Sequence, residues 1–89
     1  MQTMKNTVAI VDYGMGNLRS VWQAVQAAAA DSSVQVQVTH DPAVVHAASR
    51  VVLPGQGAMR DCMAALRHSG LEEAVRQAAA SKPLFGVCV

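Results

Sequence analysis

Four short apolar runs, each separated from the next by a stretch of helical period, constrain the fold of this chain more than any single residue does. Val8-Ala9-Ile10-Val11, Arg50-Val51-Val52-Leu53 and Leu84 to Val89 are continuous runs, as strands covered on both faces require. Val34, Val36 and Val38 instead alternate with Gln35 and Gln37, the period-two pattern of a half-exposed strand at a sheet edge. Leu18, Val21, Trp22, Val25 and Ala28 recur with helical period up to about Ala29. Asp41 and Pro42 suit the cap and first position of a short helix that runs to about Ala48. Met59, Met63 and Leu66 mark a third helix that stops at Gly70. Leu71, Ala74, Val75 and Ala78 mark a fourth, ending near Ser81, with Glu72 and Glu73 favouring the dipole of its first turn. Strands that alternate with helices require a parallel sheet with right-handed crossovers. The expected fold is α/β: a flavodoxin-like parallel sheet of order 2-1-3-4 with helices on both faces, truncated after the fourth strand.

Residues 1–89 amount to the N-terminal portion of one domain on this reading, with Met1 to Asn6 a polar lead-in. A hydrophobic share of 52% against 15% charged excludes a disordered chain. The net charge of +1 offers no basic field, and one Trp, one Tyr and one Phe offer no stacking platform, so nucleic acid is not an expected partner. No apolar run reaches membrane-spanning length, and no secretory signal opens the chain. Cys62 and Cys88 lack CxxC spacing, which points to a reduced, cytoplasmic setting. His40, His46 and His68 lack metal-ligand spacing among themselves or with Cys62, so they read as surface or satisfied histidines and no metal site is expected. Cys62 reads as a packing residue of the third helix.

Chemistry concentrates where strands end. Tyr13-Gly14-Met15-Gly16-Asn17 is a glycine-rich turn between strand and helix, but the third glycine of a dinucleotide fingerprint would fall at Arg19. Pro54-Gly55-Gln56-Gly57 breaks the third strand; its glycines could aim amide N–H groups at an oxyanion, or it could be an ordinary loop. Cys88 ends the last strand, where open α/β sheets place their ligands, and is either a nucleophile or a buried thiol. In the order 2-1-3-4 the Pro54 to Gly57 turn faces Cys88.

A thiol at one strand end and a glycine-rich donor loop at the next are two halves of an acyl-transfer site. The segments Val11-Asp12-Tyr13-Gly14-Met15-Gly16-Asn17-Leu18, Leu53-Pro54-Gly55-Gln56-Gly57-Ala58-Met59 and Lys82-Pro83-Leu84-Phe85-Gly86-Val87-Cys88-Val89 resemble class I glutamine amidotransferases, and within them the glutaminase subunits of imidazole glycerol phosphate synthase in histidine biosynthesis. The resemblance implies that Cys88 attacks the side-chain amide of L-glutamine. The oxyanion would be held by the Val89 amide and the segment at Gly55 and Gln56, with Gly57 completing the loop. It implies a (β/α)₈-barrel cyclase as partner, contacted by the loop at Gly14, Gly16 and Asn17, and no cofactor. The family's histidine and glutamate follow the cysteine at a distance, so the chain is expected to be inactive alone, and its exposed sheet edge to make it aggregate or oligomerise. Two alternatives are a non-catalytic flavodoxin-like docking module and another elbow-cysteine hydrolase.

Overall fold

The computed structural model describes residues 4–30 and 32–88, and for residues 4, 5 and 88 the backbone alone. Its elements are β1 (Met4–Val11), α1 (Leu18–Ala28), β2 (Gln35–Thr39), α2 (Pro42–Ala47), β3 (Ala48–Gly55), α3 (Met59–Ser69), α4 (Glu72–Ser81) and β4 (Leu84–Cys88). The strands form one parallel sheet in the order β2-β1-β3-β4, as the alternation of runs requires. The first crossover steps one way across the sheet and the later two step the other way, so right-handed connections send them to opposite faces. α1 accordingly packs on Val8, Ile10 and Val52 through Val21, while Val45, Leu66, Leu71, Val75 and Ala78 of the other helical segments close over Val11 and Val51. The central strand β1 is sealed from both sides, with Ala9, Ile10 and Val11 fully buried. Each such aliphatic side chain contributes roughly 1.5–3 kcal/mol when removed from water. No described helix is long and apolar enough to cross a membrane.

Three boundaries differ from expectation. The lead-in before Val8 is strand, because β1 begins at Met4. Met4 faces Ala48 and Val8 faces Arg50, so four steps along β1 match two along β3, and the surplus is taken up at Asn6 with φ 56°. Ser49 repairs the ladder there: its Oγ accepts from the Thr7 amide at 3.1 Å and donates to the Thr7 carbonyl at 2.8 Å. β3 also starts earlier than Arg50, at Ala48, which therefore ends α2 with extended torsions instead of extending the helix.

Most important for function, β3 does not break before Pro54 but continues through Gly55, pairing Pro54 with Val87 and Gly55 with Cys88. Proline is tolerated because β1 pairing with β3 has stopped at Val52, opposite Ile10. The Pro54 carbonyl points toward Tyr13, beyond the end of β1, and the missing N–H of the same residue lies on that side, where no ladder bond is lost.

β2 lies at the sheet edge with its glutamines exposed, as the alternation implies. Asp41 caps α2, accepting from the Ala43 amide at 2.9 Å. The other end of α2 is closed by Lys82, whose Nζ donates to the carbonyls of Val45 at 3.3 Å, His46 at 2.5 Å and Ala48 at 2.6 Å. An ammonium on three terminal carbonyls is well placed against the negative end of the helix. Burial holds its pKa below the ordinary 10.5.

Candidate active site

The carboxyl ends of β1, β3 and β4 converge on one cleft of about 360 Å³, lined among others by Tyr13, Leu53, Gly55, Gln56, Cys62 and Val87. The turn after β1 is built against the end of β3. The Tyr13 hydroxyl donates to the buried Pro54 carbonyl. Gly16 stands at φ 91°, and a Cβ added to it would lie 2.8 Å from the Pro54 Cβ, so both the torsion and the space require glycine. Asn17 then starts α1 by accepting from the Ser20 amide at 3.1 Å. Of the three residues expected to meet a partner, Gly14 and Asn17 are exposed and Gly16 is half-buried against Pro54.

The residues expected to hold substrate come together at the next strand end. Gly55 is the register partner of Cys88, so the backbone sets the expected nucleophile position directly beside the donor loop. Gln56 and Gly57 are exposed, with Gly57 at φ 75°. Val89 lies outside the described residues. Two carbonyls of this segment are engaged, Pro54 by the Tyr13 hydroxyl and Gln56 by the Cys62 thiol at 3.5 Å. A trans peptide holds its C=O and N–H on opposite sides, so the Gly55 and Gly57 amides point away from these two donors. The Gly55 N–H, opposite the Pro54 carbonyl, is thereby turned toward β4, with which Gly55 pairs, and the Gly57 N–H lies outside the ladder, where an oxyanion could meet it.

Cys62 is the residue whose role the sequence underplays. It packs against the core as expected, yet its Sγ also reaches the Gln56 carbonyl and sits 3.6 Å from the position a Cβ would take on Gly55. The signal available was helical spacing: Cys62 is four residues before Leu66, on the face that turns toward the sheet, whereas Met59, which the periodicity also put on that face, is 76% exposed. The spacing cannot say that this face meets the loop as well as the core. His40, His46 and His68 are all exposed, as read from the sequence, and among the described residues no histidine or carboxylate lines the cleft.

No family profile matches the chain. Individual sequences do. It is 61% identical over 82 residues to the imidazole glycerol phosphate synthase subunit HisH of Aromatoleum aromaticum, a match covering 92% of the chain and 38% of that relative. The HisH subunit of Nitrosomonas europaea is 55% identical over 84 residues, covering 94% of the chain and 39% of the relative, and that of Methylococcus capsulatus is 55% identical over 84 residues, covering 94% and 38%. Over nearly all of its length the chain is similar to HisH subunits. It spans about two fifths of the length of these HisH relatives.

Proposed function

We propose that this chain carries the nucleophile half of a HisH-type glutaminase, in which Cys88 opens glutamine and the ammonia released feeds a cyclase subunit that makes imidazole glycerol phosphate. The observation that carries this reading is the pairing of Gly55 with Cys88 at the mouth of the cleft, in a chain that is 55–61% identical to curated HisH subunits. The chemistry follows from the parts. A Cys88 thiolate adds to the side-chain amide carbon of glutamine, and the oxygen, now negative, is received by backbone amides of the Gly55–Gly57 loop and of Val89. The tetrahedral carbon expels ammonia, leaving a glutamyl thioester, and water then releases glutamate and restores the thiol. Protonating the leaving nitrogen needs a group that takes the thiol's proton as base and returns it as acid, and no described residue of the cleft supplies one. The chain by itself is therefore expected to hold the loop and the thiol without turning over. The loop at Gly14, Gly16 and Asn17 is proposed as part of the contact with a barrel-shaped cyclase, and the setting as cytoplasmic.

The test is a chimera in which this chain replaces the matching segment of the Aromatoleum aromaticum subunit, assayed with that organism's cyclase for ammonia release from glutamine. Activity is expected, with a loss on the order of a thousandfold or more in Cys88→Ser, the scale seen when a catalytic triad loses its nucleophile. A chimera that binds the cyclase but hydrolyses no glutamine would leave the docking-module alternative in its place.

A further inference from the structure

The cleft holds a second thiol that the proposed glutaminase chemistry does not use. Cys62 lies in the first turns of α3, half-buried, with its Sγ 3.5 Å from the Gln56 carbonyl and 3.6 Å from the Cβ position on Gly55. Gly55 is in turn the register partner of Cys88 on the adjacent strand. Neighbouring strands lie about 4.8 Å apart, and a disulfide, whose Cα atoms stand roughly 4.4–6.8 Å apart, would draw the start of α3 toward β4. A thiol over Gly55 is thus one strand spacing from the backbone of Cys88. Gly55 matters here because it has no side chain to stand between them. Two further features let the gap close. The cleft leaves about 360 Å³ open on this side, and the start of α3 is lightly held, since Ala58 makes no side-chain cap bond and the preceding Gln56 and Gly57 are exposed. Among the described residues, Cys62 would give up its weak S–H donation to Gln56.

We propose that Cys62 and Cys88 form an oxidative modification site, closing into a disulfide across Gly55 when the chain meets hydrogen peroxide. Peroxide takes one thiolate to a sulfenic acid, its O–O bond breaking and hydroxide leaving. The other thiol then attacks that sulfur; the S–S bond forms, the S–O bond breaks, and the oxygen departs as water with the thiol's proton. A dithiol reductant reverses the bond by exchange. The cross-link rests on the fold alone. Its consequence, a reversible block on glutamine hydrolysis that also shields Cys88 from irreversible oxidation, rests on the glutaminase reading.

The experiment treats the reduced chain with hydrogen peroxide, alkylates remaining thiols, and identifies linked peptides by mass spectrometry, in buffer and in concentrated urea. The expected result is a Cys62–Cys88 link within monomers that dithiothreitol removes, forming on the order of tenfold faster in buffer than in urea because the fold holds the partners together, and absent in Cys62→Ser. Two freely alkylated thiols after oxidation, links only between separate copies, or equal rates in buffer and urea would overturn it. In the chimera above, peroxide followed by dithiothreitol should restore glutamine hydrolysis when Cys62 is present and not in Cys62→Ser. A chimera that is inactive before oxidation while the link still forms would reject the glutaminase reading and keep the modification site. An active chimera without the link would do the reverse.

Discussion

The two faces of the sheet bury their apolar residues unequally. Under α2, α3 and α4, Val45 and Val51 are fully buried and Leu71 is 1% exposed; on the α1 side Val21 is just as closed at 1%, yet Phe85 is 55% exposed. Phe85 is the register partner of Val52, so it belongs to the same face as α1 but lies two strands away from its cover. A helix is about 10 Å wide and strands stand about 4.8 Å apart, so one helix shelters two strands. α1 sits over β1, reaching Val36 of β2 on one side and Val52 of β3 on the other, and stops short of β4. The contrast is therefore set by the direction of the crossovers, not by the composition of the strands, which are equally apolar on both sides.

The strongest way to break this comparison is to empty the well-covered face. Leu71→Ala, removing a side chain that is 1% exposed, should cost about 2–5 kcal/mol in urea unfolding; a loss under 1 kcal/mol would mean the three-helix face is not the tighter one. Val21→Ala should cost about 2 kcal/mol, two methyl groups plus the space they leave, because the α1 face is closed where α1 lies on it. A cost near zero would show that α1 covers nothing. Lys82→Met should cost about 1 kcal/mol by stranding carbonyls at the end of α2, and it should also change the pH slope of stability. Because burial lowers the Lys82 pKa from 10.5, the unfolded chain binds more protons in the window between the lowered value and 10.5, so the stability tied to this group grows as pH rises through that window and is lost as pH falls below it. Parallel denaturation curves at pH 8 and pH 10 for both chains would test this, and identical slopes would count against it. Phe85→Ser should change stability by no more than about 0.5 kcal/mol and reduce light scattering by the isolated chain. A cost like that of Val21→Ala would mean that Phe85 is covered after all.

The strand order was legible because periodicity and crossover handedness leave few alternatives. Val34, Val36 and Val38 announce an edge strand, and the edge is where they are found. What the sequence hid depends on partners far along the chain. Pro54 reads as a strand breaker until it is known that β1 has stopped beside it. Lys82 carries no local sign that α2 ends against it. Cys62 reads as core because its helical face is apolar, and nothing local says that Gln56 folds back onto the same face. Gly55 and Gln56 were legible as a turn with donors to offer, while the holding of the Pro54 and Gln56 carbonyls by Tyr13 and Cys62 was not.

The serine at the bulge has a consequence for how the chain tolerates change. By holding both the amide and the carbonyl of Thr7, Ser49 lets β1 absorb surplus residues at its leading end while Val8 to Ile10 stay in step with Arg50 to Val52. The arrangement works as a length buffer. A deletion or insertion near Asn6 can be accommodated upstream of the seam, and the trailing end of the strand, where Tyr13 meets Pro54, need not shift with it.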